Sequence, residues 1–239
     1  ARPDVMNAMN SQMRAELTAA LKRAPAEARV VVLTGEGRAF CSGQDLGDGT
    51  AQAGLDLERV LRDEYEPMLQ AVYNCAVPVI AAVNGVAAGA GANLALAADV
   101  VIASEKAAFI QAFTRIGLIP DAGGTYWLPR QIGMARAMGA ALFAERISAR
   151  QAADWGMIWE AVPEVDFDHH WRARAAHLAK GPTLAYRAVR QALRASPENT
   201  LATQLELEAR LQGACGATRD FAEGVTAFVE KREAKFEGR

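Results

Sequence analysis

One carboxylate in this chain stands where a surface charge would gain nothing. Asp121 lies in Gly117-Leu-Ile-Pro-Asp-Ala-Gly-Gly-Thr125, an apolar, glycine-rich stretch. Two upstream segments, Phe40-Cys-Ser-Gly-Gln-Asp45 and Asn84-Gly-Val-Ala-Ala-Gly-Ala-Gly91, each offer backbone N–H groups in a turn. Two such donors and one isolated acid are the parts of an enolate-forming site: the donors hold a developing oxyanion while the acid moves a proton. Asp is also a favoured N-cap, so the competing reading has Asp121 capping a helix that starts near Gly123.

In the first segment a strand enters, small residues turn the chain, and Gly43 lets another backbone or a ligand come close. The Ser42 N–H is the candidate donor; a plain surface turn is the alternative. Cys41 and Ser42 lack a G-x-S-x-G frame and the histidines lie far off, so a covalent nucleophile is not indicated. The second segment fails as a dinucleotide fingerprint, because Leu94 stands where Gly or Ala is needed and Asp99 comes too soon. What remains is a helix whose first N–H groups, near Ala90, point at something partly negative, such as a thioester oxygen becoming an enolate. Close packing through small residues would leave the same pattern. His169, His170 and His177 do not have the i, i+4 spacing of a helical zinc site, and no metal is expected.

These residues need a scaffold, and 239 residues suffice for one sizeable domain, with or without an appendage. The net charge of −2 gives no basic field for nucleic acid or an acidic membrane surface. Three cysteines without close spacing argue for a reducing, cytoplasmic setting. The apolar run 76–101 is broken by Pro78, Asn84, Asn93 and Asp99, which makes it core rather than a membrane span. The chain opens on Ala1-Arg-Pro-Asp without a signal peptide, and a preceding segment is expected.

Periodicity predicts helices over 6–23, 57–75, 89–97, 133–144, 148–155, 168–180 and 182–195, and a charged helical tail over 201–235. That tail packs on a neighbouring subunit or folds back on its own core. Buried strands are expected at 29–34, 78–83 and 99–103, with a short apolar piece at 107–110. Residues 46–56 read as a mobile loop bordering the substrate pocket. The alternation argues an α/β fold with partly parallel pairing.

Taken in order, and with Arg2-Pro-Asp-Val-Met-Asn-Ala-Met9 and Phe228-Val-Glu-Lys-Arg232, these segments resemble the crotonase (enoyl-CoA hydratase/isomerase) superfamily over nearly the whole chain. The resemblance implies a spiral of ββα units over 1–181, holding the active site, and a helical region over 182–239 that builds trimers or dimers of trimers. It also implies an acyl-CoA substrate whose CoA is part of the substrate, so that no separate cofactor is called for. Members normally open with a β-hairpin before the Arg-Pro segment. Carried over by position, the oxyanion donors are the N–H groups of Ser42 and Ala90, the latter where members usually have Gly. CoA and substrate contacts fall at Val5, Asn7, Ala39, Gln44, Asp45, Leu46, Gly89 and Phe113, while Lys231 and Phe236 reach a neighbouring subunit's CoA.

The departures bear on the reaction. Typical hydratases hold and activate water with two glutamates, and the matching positions here are Asn93 and Phe113. Asp121 stands where hydratases have Gly and where some isomerases and a dehalogenase carry a catalytic Asp. Around Asp121, and over Trp155-Gly-Met-Ile-Trp-Glu-Ala-Val162, the chain resembles the ring-1,2-epoxyphenylacetyl-CoA isomerases of phenylacetate degradation. The expectation is an acyl-CoA isomerase that forms oxepin-CoA from the ring epoxide, shifts 3-enoyl-CoA to 2-enoyl-CoA, or does both. Hydratase or dehalogenase-like chemistry and a non-catalytic CoA-binding subunit are the alternatives. Phe109, Phe113 and Trp127 either receive an aromatic or cyclic acyl group or pack the core.

Overall fold

A computed structural model describes residues 1–47 and 56–239. Its strands lie in two sheets that share one ordering rule. β1 (Val31–Thr34), β3 (Val79–Val83), β5 (Val100–Ser104) and β8 (Glu160–Val162) form an all-parallel sheet in the order β1-β3-β5-β8. β2 (Ala39–Cys41), β4 (Val86–Ala88), β6 (Ala108–Ile110) and β7 (Ile147–Ser148) form the second, in the order β2-β4-β6-β7, with β7 antiparallel. Each of the first three turns of the chain therefore lays one strand in each sheet before a helix carries it onward.

Helix α1 (Ser11–Glu27) precedes the first turn. After β2 come α2 (Leu57–Val60), a π-helical segment Leu61–Tyr65 and α3 (Glu66–Tyr73). After β4 comes α4 (Ala90–Leu96), and after β6 comes α5 (Gly124–Phe143). The last turn runs through α6 (Ala149–Asp154) between β7 and β8. This is the ββα spiral of the crotonase fold, closed by α7 (Glu164–Lys180), α8 (Thr183–Ala195), α9 (Leu201–Gly216) and α10 (Arg219–Glu230).

Burial explains why β3 reads as an unbroken apolar run. Val79, Ala81 and Val83 face the main core with Phe40, Phe109 and Leu128, while Ile80 and Ala82 pack with Ile102 on Phe167 and Trp171 of α7. A parallel strand covered on both faces has no polar side to show. β1 is an edge strand, shorter and less buried than expected over 29–34, and it ends at exposed Thr34. Every residue of α4 is buried, which suits its small side chains.

Several sequence expectations shift. Helix α1 begins at Ser11, not at residue 6, because Met6 and Asn7 adopt left-handed φ values of 54° and 55°. Asn10 then caps it, accepting the Met13 N–H at 2.9 Å. The helix expected over 133–144 starts at Gly124 and bends at Gly133, where φ is 76°. The tail is not one helix to residue 235. It breaks between α9 and α10, and its end returns so that the Asp220 carboxylate accepts the N–H groups of Glu237 (2.7 Å) and Gly238 (2.8 Å). Within the loop expected over 46–56, residues 48–55 lie outside the described residues.

The C-terminal helices are anchored by one partly buried anion. The Asp99 carboxylate accepts from Arg190 (2.7 Å) and Arg194 (2.6 Å) of α8 and from the Val79 N–H (2.8 Å). Both guanidinium groups also donate to the Tyr73 carbonyl, and Arg190 to that of Cys75. Removing the anion leaves two cations facing each other in a partly dry seam. Asp99→Ala is expected to cost about 3 kcal/mol of stability, read as a lower urea midpoint with unchanged slope.

Candidate active site

The first turn is set by Met9. It sits opposite Gln44 in a parallel bridge, donating to the Gly43 carbonyl (2.8 Å) and accepting the Asp45 N–H (3.1 Å). In such a bridge the opposing residue turns its own N–H to the far side. The Gln44 N–H is thus free, with no partner among the described residues. The Ser42 N–H is not, because it donates to the Met6 carbonyl at 3.0 Å. This corrects the sequence expectation: the unspent donor of this turn belongs to Gln44, two residues beyond Ser42.

The other expected donor, Ala90, stands at a helix start. Ala90 is the first residue of α4, so its N–H has no acceptor within the helix. Gly89 reaches this start with φ 53° and ψ −128°, a conformation that disfavours a side chain. The two turns touch. A Cβ on Gly43 would lie 2.9 Å from the Ala88 carbonyl oxygen and 3.5 Å from the Ala90 nitrogen.

Asp121 approaches from the third segment, on a turn completed by left-handed Ala122 (φ 48°) and Gly123 (φ 81°). It does not cap α5: the N-cap is Gly123 and no side chain bonds there. Its carbonyl is fixed by the Gly124 N–H (2.8 Å) and by the Asn93 amide (2.7 Å), and Asn93 is in turn held by Gln111 (2.9 Å). The carboxyl Oδ1 is buried without a hydrogen-bond partner. Burial alone pushes the Asp121 pKa up from 3.8 to about 6.

A cavity of about 930 Å³ joins these groups. Ser42, Gly43, Gln44, Gly89, Ala90 and Asp121 lie on its wall, as do Phe113, Tyr65 and Leu46. Its other carboxylate among the described residues, Glu58, is exposed and paired with Arg62 at 2.8 Å. Of the two positions matching hydratase glutamates, Phe113 presents a ring and Asn93 is fully buried outside the lining.

Other expected contacts fall elsewhere. Asn7 is 1% exposed and outside the cavity lining; its amide donates to the Glu36 and Ala39 carbonyls and accepts the Arg2 N–H, so it clamps the chain. Ala39 is equally buried, its carbonyl taken by Asn7. Asp45 is held below the usual carboxylate range, first by its bond to Arg2 (2.6 Å) and then by the Gly47 N–H. Val5 is exposed beside the turn. Lys231 and Phe236 lie at the C-terminal helices, where Phe236 lines a separate groove between α8 and α10. Sequence reasoning missed Tyr65 altogether; a lone Tyr on a charged helix carries no signal until the π-helical segment turns Leu61 and Tyr65 together onto the cavity.

A family model for enoyl-CoA hydratase/isomerase matches residues 1–239. The chain belongs to the enoyl-CoA hydratase/isomerase family, the crotonases. This crotonase is 71% identical over 238 residues to a Rhodobacter capsulatus protein named probable enoyl-CoA hydratase, covering 100% of this chain and 92% of that one. It is 44% identical over 247 residues to the Escherichia coli 1,2-epoxyphenylacetyl-CoA isomerase, covering 100% and 93%. The crystal structure of an enoyl-CoA hydratase from Polaromonas sp. JS666 matches it with a TM-score of 0.92 at 31% identity, covering 99% and 94%. Members of this family act on acyl-CoA thioesters.

A carboxyl whose folded pKa lies above its unfolded value of 3.8 costs stability once pH has risen through both values. Asp121→Asn should therefore stabilise this crotonase by about 1 kcal/mol at pH 7.5, after discount for partial exposure. The gain should vanish below pH 4, which thermal melts across that range would record.

Proposed function

We propose that this crotonase is an acyl-CoA isomerase in which the Gln44 and Ala90 N–H groups bind the thioester oxygen and Asp121 moves the proton. The observation that carries this reading is a carboxylate that is, among the described residues, the single unpaired one on the cavity wall, half-buried beside two unspent backbone donors. Polarising the thioester carbonyl acidifies the α and vinylogous γ positions, and each oxyanion donor is worth about 3–4 kcal/mol of barrier. Asp121 takes a proton from one carbon and returns it to another, moving the double bond by 1,3-transfer. With a ring epoxide, the same donors hold the thioester while the three-membered ring opens toward an oxepin. The kinship with the E. coli 1,2-epoxyphenylacetyl-CoA isomerase supports that second substrate.

The hydratase reading rests on the name of the R. capsulatus relative. Against it stands the absence, among the described residues, of a second unpaired carboxylate on the cavity wall to help hold and activate water. The exposed apolar residues of the C-terminal helices, including Leu201, Leu205, Phe221 and Phe228, support a homotrimer or dimer of trimers built through 182–239. In that assembly Lys231 and Phe236 reach a neighbour's CoA. Free thiols at Cys41, Cys75 and Cys215 agree with a cytoplasmic setting.

Purified wild type should convert 3-enoyl-CoA to conjugated 2-enoyl-CoA without mass change, and Asp121→Asn should lose at least about 10³-fold in kcat with CoA binding retained. Addition of 18 mass units to 2-enoyl-CoA by wild type would instead establish the hydratase. Because the base must be ionised, kcat/KM should fall about tenfold per pH unit below 6 and level off above 7. A flat profile from pH 5 to 8 would rule out Asp121 as the titrating base.

A further inference from the structure

Arg14 is a cation with 1% exposure that the proton-transfer step does not use. Its guanidinium donates to the Met9 carbonyl (2.8 Å), the Gln44 side-chain oxygen (2.9 Å), the Ser11 hydroxyl (3.1 Å) and Glu64 (2.6 Å), and it lies 4.7 Å over the Tyr65 ring. The Tyr65 hydroxyl donates to the same Gln44 oxygen at 2.5 Å. Two donors thus grip the Gln44 side chain. One of them also holds the carbonyl that fixes Asp45, the next residue along.

Gln44 needs this support. A single bridge to Met9 pairs it, and Gly43, at φ 99°, precedes it. Stability alone does not account for the arrangement, since a buried ion pair is often no better than apolar residues of similar volume. A backbone donor must, however, be aimed before the reaction begins if it is to stabilise developing charge.

We propose that Arg14 and Tyr65 are positioning residues that lock the Gln44 side chain and so aim its main-chain N–H at the thioester oxygen. The inference rests on the oxyanion reading above. Tyr65 also makes the lock sensitive to the substrate, because its ring forms part of the cavity wall while its hydroxyl holds Gln44.

Tyr65→Phe removes one hydrogen bond and keeps the ring. The readouts are steady-state kinetics with 3-enoyl-CoA, thermal melting, and the infrared carbonyl stretch of bound 2-enoyl-CoA carrying ¹³C at the thioester carbon. In wild type the stretch should fall on binding. In Tyr65→Phe it should move back toward the free value, with kcat lower by about tenfold, less than the 10²–10³ of losing a donor outright. KM should change less than threefold and the melting temperature should hold. Gln44→Ala, which keeps the backbone N–H and removes the grip, should give the same spectral change. A wild-type carbonyl shift in Tyr65→Phe and Gln44→Ala would overturn the positioning role and leave the isomerase reading standing. No shift in wild type itself would sink the oxyanion reading and this inference with it.

Discussion

The 2.7 Å hydrogen bond from the Asn93 amide to the Asp121 carbonyl ties the two halves of the site together. Asn93 belongs to α4, whose first residue supplies one N–H donor; Asp121 belongs to the turn that supplies the acid. Without that bond the turn would rest on Ala122 in a left-handed conformation, which costs an alanine about 1 kcal/mol or more. Gln111 closes the arrangement by donating to Asn93, so a chain of buried amides links the helix of Ala90 to the turn of Asp121. The packing is tight enough to dictate sequence on the other side. A Cβ at Gly124 would lie 2.5 Å from the Asn93 amide nitrogen.

That clamp holds groups which would otherwise be satisfied by moving. The Gln44 and Ala90 N–H groups and the Asp121 carboxyl oxygen are each polar, and the protein supplies none of them with a partner among the described residues. A polar group buried without a partner costs about 1–3 kcal/mol. The fully buried α4 and the doubly covered β3 are the rigid parts against which the turns press. The unsatisfied groups therefore stay at the cavity, where the proposed thioester substrate would meet them in place of water.

Legibility in the sequence followed the range of the interactions involved. The strands at 78–83 and 99–103 were readable because burial on both faces writes itself as an apolar run. Ala90 was readable because a glycine turn after a strand announces a helix start. The Gln44 donor was not, since whether Ser42 or Gln44 has a free N–H depends on which carbonyls Met6 and Met9 present across the chain. Arg14 escaped for a related reason. A charged residue in an amphipathic pattern is counted as solvent-facing, and only its partners Gln44, Tyr65 and Glu64, distant in sequence, bring it inside. Asp121 lay between these cases: its apolar neighbourhood marked it out, but the choice between helix cap and buried base needed the backbone of Ala122 and Gly123.

A shared fold does not fix the reaction, because the chemistry belongs to the groups placed on it. In the proposed site of this crotonase the oxyanion half is built from main-chain N–H groups, which most substitutions leave in place. The acid half is built from side chains, where one change replaces a carboxylate by an amide or a ring. Asn93 holds the turn of Asp121, and Phe113 lines the cavity. An Asn93→Glu change would not simply restore a water-binding acid. It would substitute an acceptor for the amide that donates to the Asp121 carbonyl, so that gaining the second carboxylate would loosen the first.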